Sequence, residues 1–110
     1  MIKFDSLSDV KEFLALDAKR SATLVQLTNL KKALEALSKE NPSLRSFERI
    51  ENKIDSRVEQ SENATIAVSS YFHRMGGDPM NDSDFDKYCD METNIIGEIE
   101  ILREAYHYIL

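Results

Sequence analysis

Apolar residues recur at alternating steps of three and four along three long stretches of the chain, and polar residues fill the positions between them. This spacing places the apolar side chains of each stretch on one face of an α-helix, and its strictness is typical of a coiled-coil seam. The last stretch shows it most clearly, with a seam made of Phe85, Tyr88, Ile95, Ile99, Leu102, Tyr106 and Ile109. The pattern predicts three helices, over about residues 6–38, 43–75 and 83–110.

Residues that favour helix N-termini precede the first and the last of these stretches. Ser6 or Asp5 can cap the first helix, and Asp9 then lies in its first turn. Ser83 can cap the last helix, with Asp86 three residues further on, as in a capping box. Both ends therefore support the boundaries that the apolar pattern predicts.

The connections on either side of the second helix also carry turn signals. Asn41 followed by Pro42 favours an N-cap and first-turn pair, and Gly76 followed by Gly77 supplies the left-handed residue that closes many helices. Residues 60–70 are rich in Ser, Asn, Thr and β-branched residues, which are mediocre helix formers. We predict one continuous second helix, with a kink or a short break in this segment as the alternative.

Helices of similar length joined by short connections favour an all-α fold, an antiparallel, left-handed three-helix bundle. The 110 residues suit a single domain, 1–110, and three Gly and two Pro leave little room for the turns of a β-sandwich. The alternative is a long helical coiled-coil hairpin that dimerises and buries the third helix between chains. We expect a core made of Phe13, Leu27, Leu34, Phe47, Ile54, Phe72, Ile95, Ile99 and Leu102.

The second helix carries two rows of charge beside its apolar seam. The basic row consists of Arg45, Arg49, Lys53 and Arg57. The acidic row on the other side consists of Glu48, Glu51, Asp55, Glu59 and Glu62. Such rows set partner choice and orientation in coiled coils, although isolated exposed ion pairs stabilise a helix little. Two interpretations follow, a surface that selects a partner and a pair of solvated faces.

Arg20 occupies a seam position of the first helix, where an apolar residue is expected. In one interpretation its stem covers apolar surface while the guanidinium reaches water. In the other it pairs with an acid on the last seam, such as Glu92, and the buried pair fixes helix register more than it stabilises the fold.

The net charge of −6 is concentrated in the last third of the chain. Residues 1–75 carry 12 Lys and Arg against 11 Asp and Glu, whereas residues 76–110 carry 2 against 9. A negative field repels phosphate, so we expect no nucleic-acid partner. A basic protein could meet this end, with Asp84 and Asp86 as candidate contacts, or the charge could serve only solubility and helix capping.

The chain shows no sign of a membrane or secretory segment. No apolar run approaches the roughly 20 residues of a membrane span, and the first residues lack the apolar core of a signal peptide. A lone cysteine, Cys89, cannot form an internal disulfide or a thiolate zinc site, and its place beside the seam predicts a small buried hydrophobe. We expect an intracellular, cytoplasmic protein with no membrane contact.

The acidic loop before the last helix invites comparison with a calcium site. Asp82, Asp84 and Asp86 match the first, third and fifth positions of an EF-hand loop. Lys87 and Thr93 then occupy the positions that require Gly and a bidentate Glu. The pattern therefore predicts no calcium site.

The sequence also lacks the residue patterns of zinc, di-iron and phosphate-binding sites. His73 and His107 lie on different predicted helices, without the His or Glu spacing of a zinc or di-iron site. The Gly76–Gly77 pair follows a helix, the wrong order for a phosphate-binding loop. We predict no enzyme, no metal and no cofactor.

Some apolar residues lie outside the seams. Ile96, Cys89 and Leu110 widen the apolar face of the last helix, and Leu14 and Val25 do so in the first. A monomer would leave part of this surface exposed, which soluble monomers usually avoid. We predict a homodimer or a larger homo-oligomer, through a two-fold interface across which the charged rows pair.

A resemblance to a known family rests on three segments of the sequence, Lys19–Leu30, Ile50–Asp55 and Asp84–Tyr88. Together they resemble the helical N-terminal segment of Gag-type polyproteins from BEL/Pao retrotransposons, where an Arg with a following Leu-Thr begins the segment and an acid-Phe-acid motif with Tyr opens a later helix. The likeness covers about Leu16–Arg103. It implies a self-assembly or interaction domain without catalysis.

The three-helix pattern also resembles a spectrin repeat, but the chain lacks the Trp of that family's core. We therefore predict a non-catalytic, Gag-like domain for protein–protein interaction or self-assembly. The alternative is a stand-alone helical adaptor, or a viral or phage protein, that binds a basic partner through its acidic last third.

Overall fold

A computed structural model describes residues 4–37, 43–79 and 82–110 of the chain. It contains helices α1 (Leu7–Leu37), α2 (Leu44–Arg74) and α3 (Ser83–Ile109). No strand occurs within the described ranges. The prediction of an all-α fold with helices at these three places is confirmed.

The N-termini of α1 and α3 are capped by side chains. The Asp9 amide donates to Ser6 Oγ at 3.2 Å, as predicted for α1. In α3 the Phe85 amide donates to Asp82 Oδ1 at 2.9 Å, so the prediction that Ser83 caps this helix is wrong. The Asp82 carboxylate places a full negative charge at the positive end of the helix dipole, which a serine hydroxyl does not.

Helix α2 is closed at both ends by local hydrogen bonds. Its N-cap is Ser43, whose Oγ accepts from the Ser46 amide at 3.1 Å, and the predicted Asn41–Pro42 signal lies outside the described residues. At the other end, Gly76 has φ of 77°, and its amide and that of Gly77 donate to carbonyls of the last turn. The glycine closure predicted from the sequence is therefore confirmed.

Helix α2 continues without a break through residues 60–70. In that segment Ser61, Ala64 and Val68 are buried. Their packing outweighs the low helix propensity of the neighbouring residues, because tertiary contacts supply most of the stability of a helix in a protein. The alternative of an interrupted second helix is wrong.

Consecutive helices run antiparallel in a bundle with extents of 55 × 22 × 18 Å. Arg74 near the end of α2 pairs with Glu12 near the start of α1. At the opposite end, the Tyr106 hydroxyl donates to the Leu34 carbonyl at 2.5 Å, and its ring lies 5.4 Å from that of Phe47. Helix α3 thus packs on the α1–α2 pair of its own chain, which is the three-helix bundle rather than the hairpin alternative.

Within the described residues, the core has two apolar clusters with a polar layer between them. The large apolar cluster consists of Leu27, Leu34, Leu37, Phe47, Ile54, Ile95, Ile99 and Tyr106. The small apolar cluster consists of Val68, Tyr71, Phe72 and Phe85. Along the helices, the polar layer separating them consists of Arg20, Thr23, Ser61, Thr65 and Glu92.

Most of the predicted core is buried. The confirmed positions are Leu27, Leu34, Phe47, Ile54, Phe72, Ile95 and Ile99. Phe13 and Leu102 are half-buried at the margins of the small and large clusters, so their prediction as buried residues is wrong. Both lie where the bundle surface begins, which the helical period alone does not locate.

Candidate interaction surfaces

Arg20 lies in the polar layer and is only 5 % exposed. Its Nη2 donates to Asp17 Oδ1 at 2.8 Å, and its guanidinium carbon lies 4.1 Å from the ring centre of Tyr88 and 5.4 Å from that of Phe85. The predicted pairing with Glu92 is wrong, and so is the alternative in which the guanidinium reaches water. The Asp17 carboxylate and two aromatic rings stabilise the cation instead.

Glu92 is buried too, but its hydrogen bonds go to α2 rather than to Arg20. Its Oε2 accepts from Ser61 Oγ at 2.6 Å and from Thr65 Oγ1 at 2.8 Å. Both donors lie in the Ser- and Thr-rich segment, which sequence analysis treated only as a weak helix. The two hydroxyls offset part of the cost of burying the carboxylate.

An open pocket of about 330 Å³ lies beside Arg20, between α1 and the start of α3. Aromatic rings and three carboxylates, those of Asp17, Asp82 and Asp84, line it. Arg20 Nε and Nη1 are buried without a hydrogen-bond partner among the described residues. The Tyr88 hydroxyl donates to the Arg20 carbonyl, and burial raises the pKa of that phenol, so it stays protonated near neutral pH. The surrounding carboxylates would also repel an anion that approached the guanidinium.

The histidines and the cysteine do not form a reactive group. His73 is exposed, and His107 contacts the Glu51 carboxylate and packs in a T-shaped arrangement with the Phe47 ring. Cys89 is half-buried, and burial raises the pKa of its thiol, which keeps it protonated at neutral pH. No group of three or more His, Cys, Asp or Glu side chains that could hold a metal occurs in the described part of the chain.

The acidic row of α2 faces α3. Arg103 donates from Nη1 to Asp55 Oδ1 at 2.9 Å and from Nε to Glu51 Oε2 at 3.1 Å. These hydrogen bonds, that to Asp55 above all, raise the pKa of Arg103. Part of the predicted partner surface thus docks α3 within the same chain, although Asp55 itself is exposed, as are Glu48, Glu59 and Glu62.

The basic row lies on the opposite edge of α2, toward α1. Arg57 Nη1 donates to Gln26 Oε1 of α1 and to Gln60 Oε1, each at 3.1 Å. The apolar seam separates this row from Glu51 and Asp55, which contact α3. The other members of the basic row are exposed, namely Arg45, Arg49 and Lys53.

Helices α1 and α2 form a groove on the side away from α3, with two open pockets of about 200 and 250 Å³. We call it the basic groove, because its walls contain the cations Lys19, Lys53 and Arg57 and none of the residues lining the two pockets is a carboxylate. Its apolar and small side chains are Leu16, Leu30, Ala64 and Ala67.

Helix α3 has a second face that points away from α1 and α2. This α3 outer face consists of the exposed residues Asp86, Asp90, Asn94, Gly97, Ile101, Glu104, Ala105 and Tyr108. Ile101 is 68 % exposed and Tyr108 is 93 % exposed. Neither residue was predicted as a contact surface, although Ile101, Ala105 and Tyr108 repeat the helical spacing of four and three on a face distinct from the seam.

The residues expected to widen the apolar faces divide into two groups. Ile96 and Cys89 pack against the core clusters and are half-buried, so Ile96 offers little surface to a partner. Leu14, Val25 and Leu110 are exposed. The bundle therefore does leave apolar surface outside, as predicted, but not at Ile96.

Comparison of the chain with protein-family models, curated proteins and solved structures finds no match. None of the helices in the described ranges combines the length and the apolar character needed to cross a bilayer.

Proposed function

We propose that this chain is a cytoplasmic, non-catalytic protein-interaction domain that assembles with copies of itself. The observation that carries the proposal is the exposed apolar row of the α3 outer face, where Ile101 and Tyr108 stand two turns apart with Ala105 between them. Ile109 and Leu110 add exposed apolar surface at the same end of the helix. Burying such a row against another chain removes it from water, which favours association.

The polar interior supports the non-catalytic part of the proposal, since its charged side chains contact neighbours within the bundle. Glu92 accepts hydrogen bonds from two hydroxyl groups, and Arg20 contacts Asp17 and aromatic rings. The resemblance to Gag-type segments agrees with this role, because it implies assembly without catalysis.

Sedimentation velocity from low micromolar to near-millimolar concentration tests the proposal. We expect the wild-type sedimentation coefficient to rise with concentration, and Ile101→Gln combined with Tyr108→Gln to abolish that rise. Association should weaken with salt without vanishing, because charge pairing is screened and apolar burial is not.

The matched control is Leu14→Gln combined with Val25→Gln, since these residues are also exposed but lie on α1. It should associate like the wild type. A wild-type chain that stays monomeric at every concentration, or a control that loses association equally, would contradict this assignment.

A second candidate is an adaptor for a basic partner. It is favoured by Asp86, Asp90 and Glu104 of the α3 outer face, which form no ion pair among the described residues. Binding of a basic amphipathic helical peptide by a monomeric chain would support it. Such binding should fail after Asp90→Lys combined with Glu104→Lys.

A further inference from the structure

We infer that the α3 outer face of one copy docks into the basic groove of a second copy, so that chains associate head to tail. This inference rests on the proposed self-assembly and names the two surfaces that meet. The α3 helix packs by the Glu51 and Asp55 edge of α2, whereas the basic groove lies along the opposite edge, at Lys53 and Arg57. One chain therefore cannot place its own α3 outer face in its own groove.

The charges of the two surfaces are complementary. The groove contributes Lys19, Lys53 and Arg57. The α3 outer face contributes Asp86, Asp90 and Glu104, with Lys87 as an exposed cation nearby. Two α3 outer faces in a two-fold contact would bring like charges together, whereas the groove brings opposite charges together. Charge complementarity thus favours the groove of a second copy over its α3.

Gly97 supplies an independent reason for a close approach at the α3 outer face. A glycine in a helix interior destabilises the helix relative to alanine. Apart from its chain neighbours and the adjoining α3 backbone, no atom of the described residues lies within 4 Å of the position that a Cβ at Gly97 would take, so no described contact inside the bundle requires a glycine there. A helix surface without a Cβ lets another backbone come close, as small residues do where helices pack tightly.

The groove has the shape and composition that a helix needs. Its two walls are the helices α1 and α2. The small side chains of Ala64 and Ala67 leave space along part of the α2 wall. Leu16 and Leu30 are half-buried there and retain apolar surface for Ile101 and Tyr108. A docked α3 would then lie as a fourth helix against the α1–α2 pair.

The symmetry of this contact has a direct consequence. The two surfaces differ, so the contact is heterologous and leaves one free groove and one free α3 outer face on every dimer. Further copies can add until a ring closes or a filament grows. The two-fold dimer predicted from the sequence would instead stop at two chains.

Complementation between two variants tests the pairing of surfaces. The groove variant carries Lys19→Glu and Lys53→Glu, both at exposed positions, and the face variant carries Ile101→Gln and Tyr108→Gln. We expect the groove variant alone to associate about tenfold or more weakly than wild type, since opposite charges become like charges. An equimolar mixture of the two variants should form dimers and no larger species, because one intact groove meets one intact face.

Lys11→Glu combined with Lys32→Glu is the control, because it changes the net charge equally at exposed α1 positions that do not line the groove pockets. It should assemble like wild type. A groove variant that assembles like wild type, a mixture that stays monomeric, or a wild type that stops at dimers would each overturn this inference while self-assembly stands. A wild type that never associates would instead overturn the proposed function itself.

Gly97→Ala distinguishes an effect on association between chains from an effect on the stability of the fold. We expect it to raise Tm by a few degrees, since it removes a helix-interior glycine at a site with open space, and to weaken association at the same time. Loss of stability together with association would reflect a damaged fold and contradict the role given to Gly97. Unchanged association with a raised Tm would exclude the close approach at this position.

Discussion

In the large apolar cluster the three helices meet mainly through apolar side chains, whereas in the polar layer they meet through the polar side chains of Arg20, Ser61 and Glu92. Apolar burial stabilises the fold roughly in proportion to area, whatever the apolar neighbour. A buried polar group instead needs a donor or acceptor at hydrogen-bond distance and destabilises the fold when it lacks one. Substitutions in the two regions should therefore act by different mechanisms.

The largest effect is expected in the large apolar cluster. Leu34 and Ile99 have no exposed surface, so truncating either side chain removes buried methyl groups and leaves a cavity. We expect Leu34→Ala or Ile99→Ala to lower the free energy of unfolding by about 2–5 kcal/mol, as measured by urea denaturation.

Val25→Ala is the matched control for these truncations, because Val25 is apolar but 58 % exposed. Its effect should stay within about 0.5 kcal/mol, as for most surface substitutions. Wild-type stability in Leu34→Ala or Ile99→Ala would show that the cluster does not hold the helices together.

An intermediate effect is expected in the polar layer at Ser61. Its side chain is fully buried and donates to Glu92 Oε2 at 2.6 Å. Ser61→Ala leaves the carboxylate with Thr65 as its remaining hydroxyl donor, so we expect a loss of about 1–3 kcal/mol in the free energy of unfolding. Ser70→Ala, at an exposed α2 position, should change it little.

A double-mutant cycle sharpens this prediction. If the cost of Ser61→Ala arises from Glu92, it should shrink in a Glu92→Gln background, with a coupling of at least about 0.5 kcal/mol. Additive effects of the two substitutions would instead attribute the cost to packing around Ser61.

The apolar part of the fold was predictable because a helical period specifies which side chains share a face. Leu27, Phe47 and Ile54 were assigned to the core on this basis and are fully buried. The boundary of the core was harder, as Phe13 shows, since burial at a helix margin depends on how far the neighbouring helix extends.

The partners in the polar layer could not be predicted, because a hydrogen bond depends on helix rotation and axial position to within an ångström or so. Periodicity places Arg20 and Glu92 on facing seams, yet Glu92 bonds to α2 and Arg20 to Asp17. The α3 outer face was missed for a different reason. A search for one seam per helix passes over a second apolar row such as Ile101 and Tyr108.

The smallest net effect is expected at Arg20, where two contributions oppose each other. Replacing Arg20 by Met removes the ion pair with the part-exposed Asp17 and the contacts with Tyr88 and Phe85, each cation–π contact being worth about 0.5–2 kcal/mol. It also removes two buried guanidinium nitrogens, Nε and Nη1, that have no hydrogen-bond partner among the described residues, and leaving a buried donor unsatisfied costs about 1–3 kcal/mol.

These opposing contributions should nearly cancel, so we expect Arg20→Met to keep the fold and to change the free energy of unfolding by no more than about 1 kcal/mol in either direction. Arg20→Ala is the comparison, because it also deletes the buried stem and should destabilise by about 2 kcal/mol or more. Urea denaturation of the two variants distinguishes the effect of losing the charge from the effect of losing side-chain volume. If Arg20→Met unfolds the domain as Arg20→Ala does, the charge itself holds α1 against α3. The polar layer would then contribute more to the stability of the fold than the large apolar cluster.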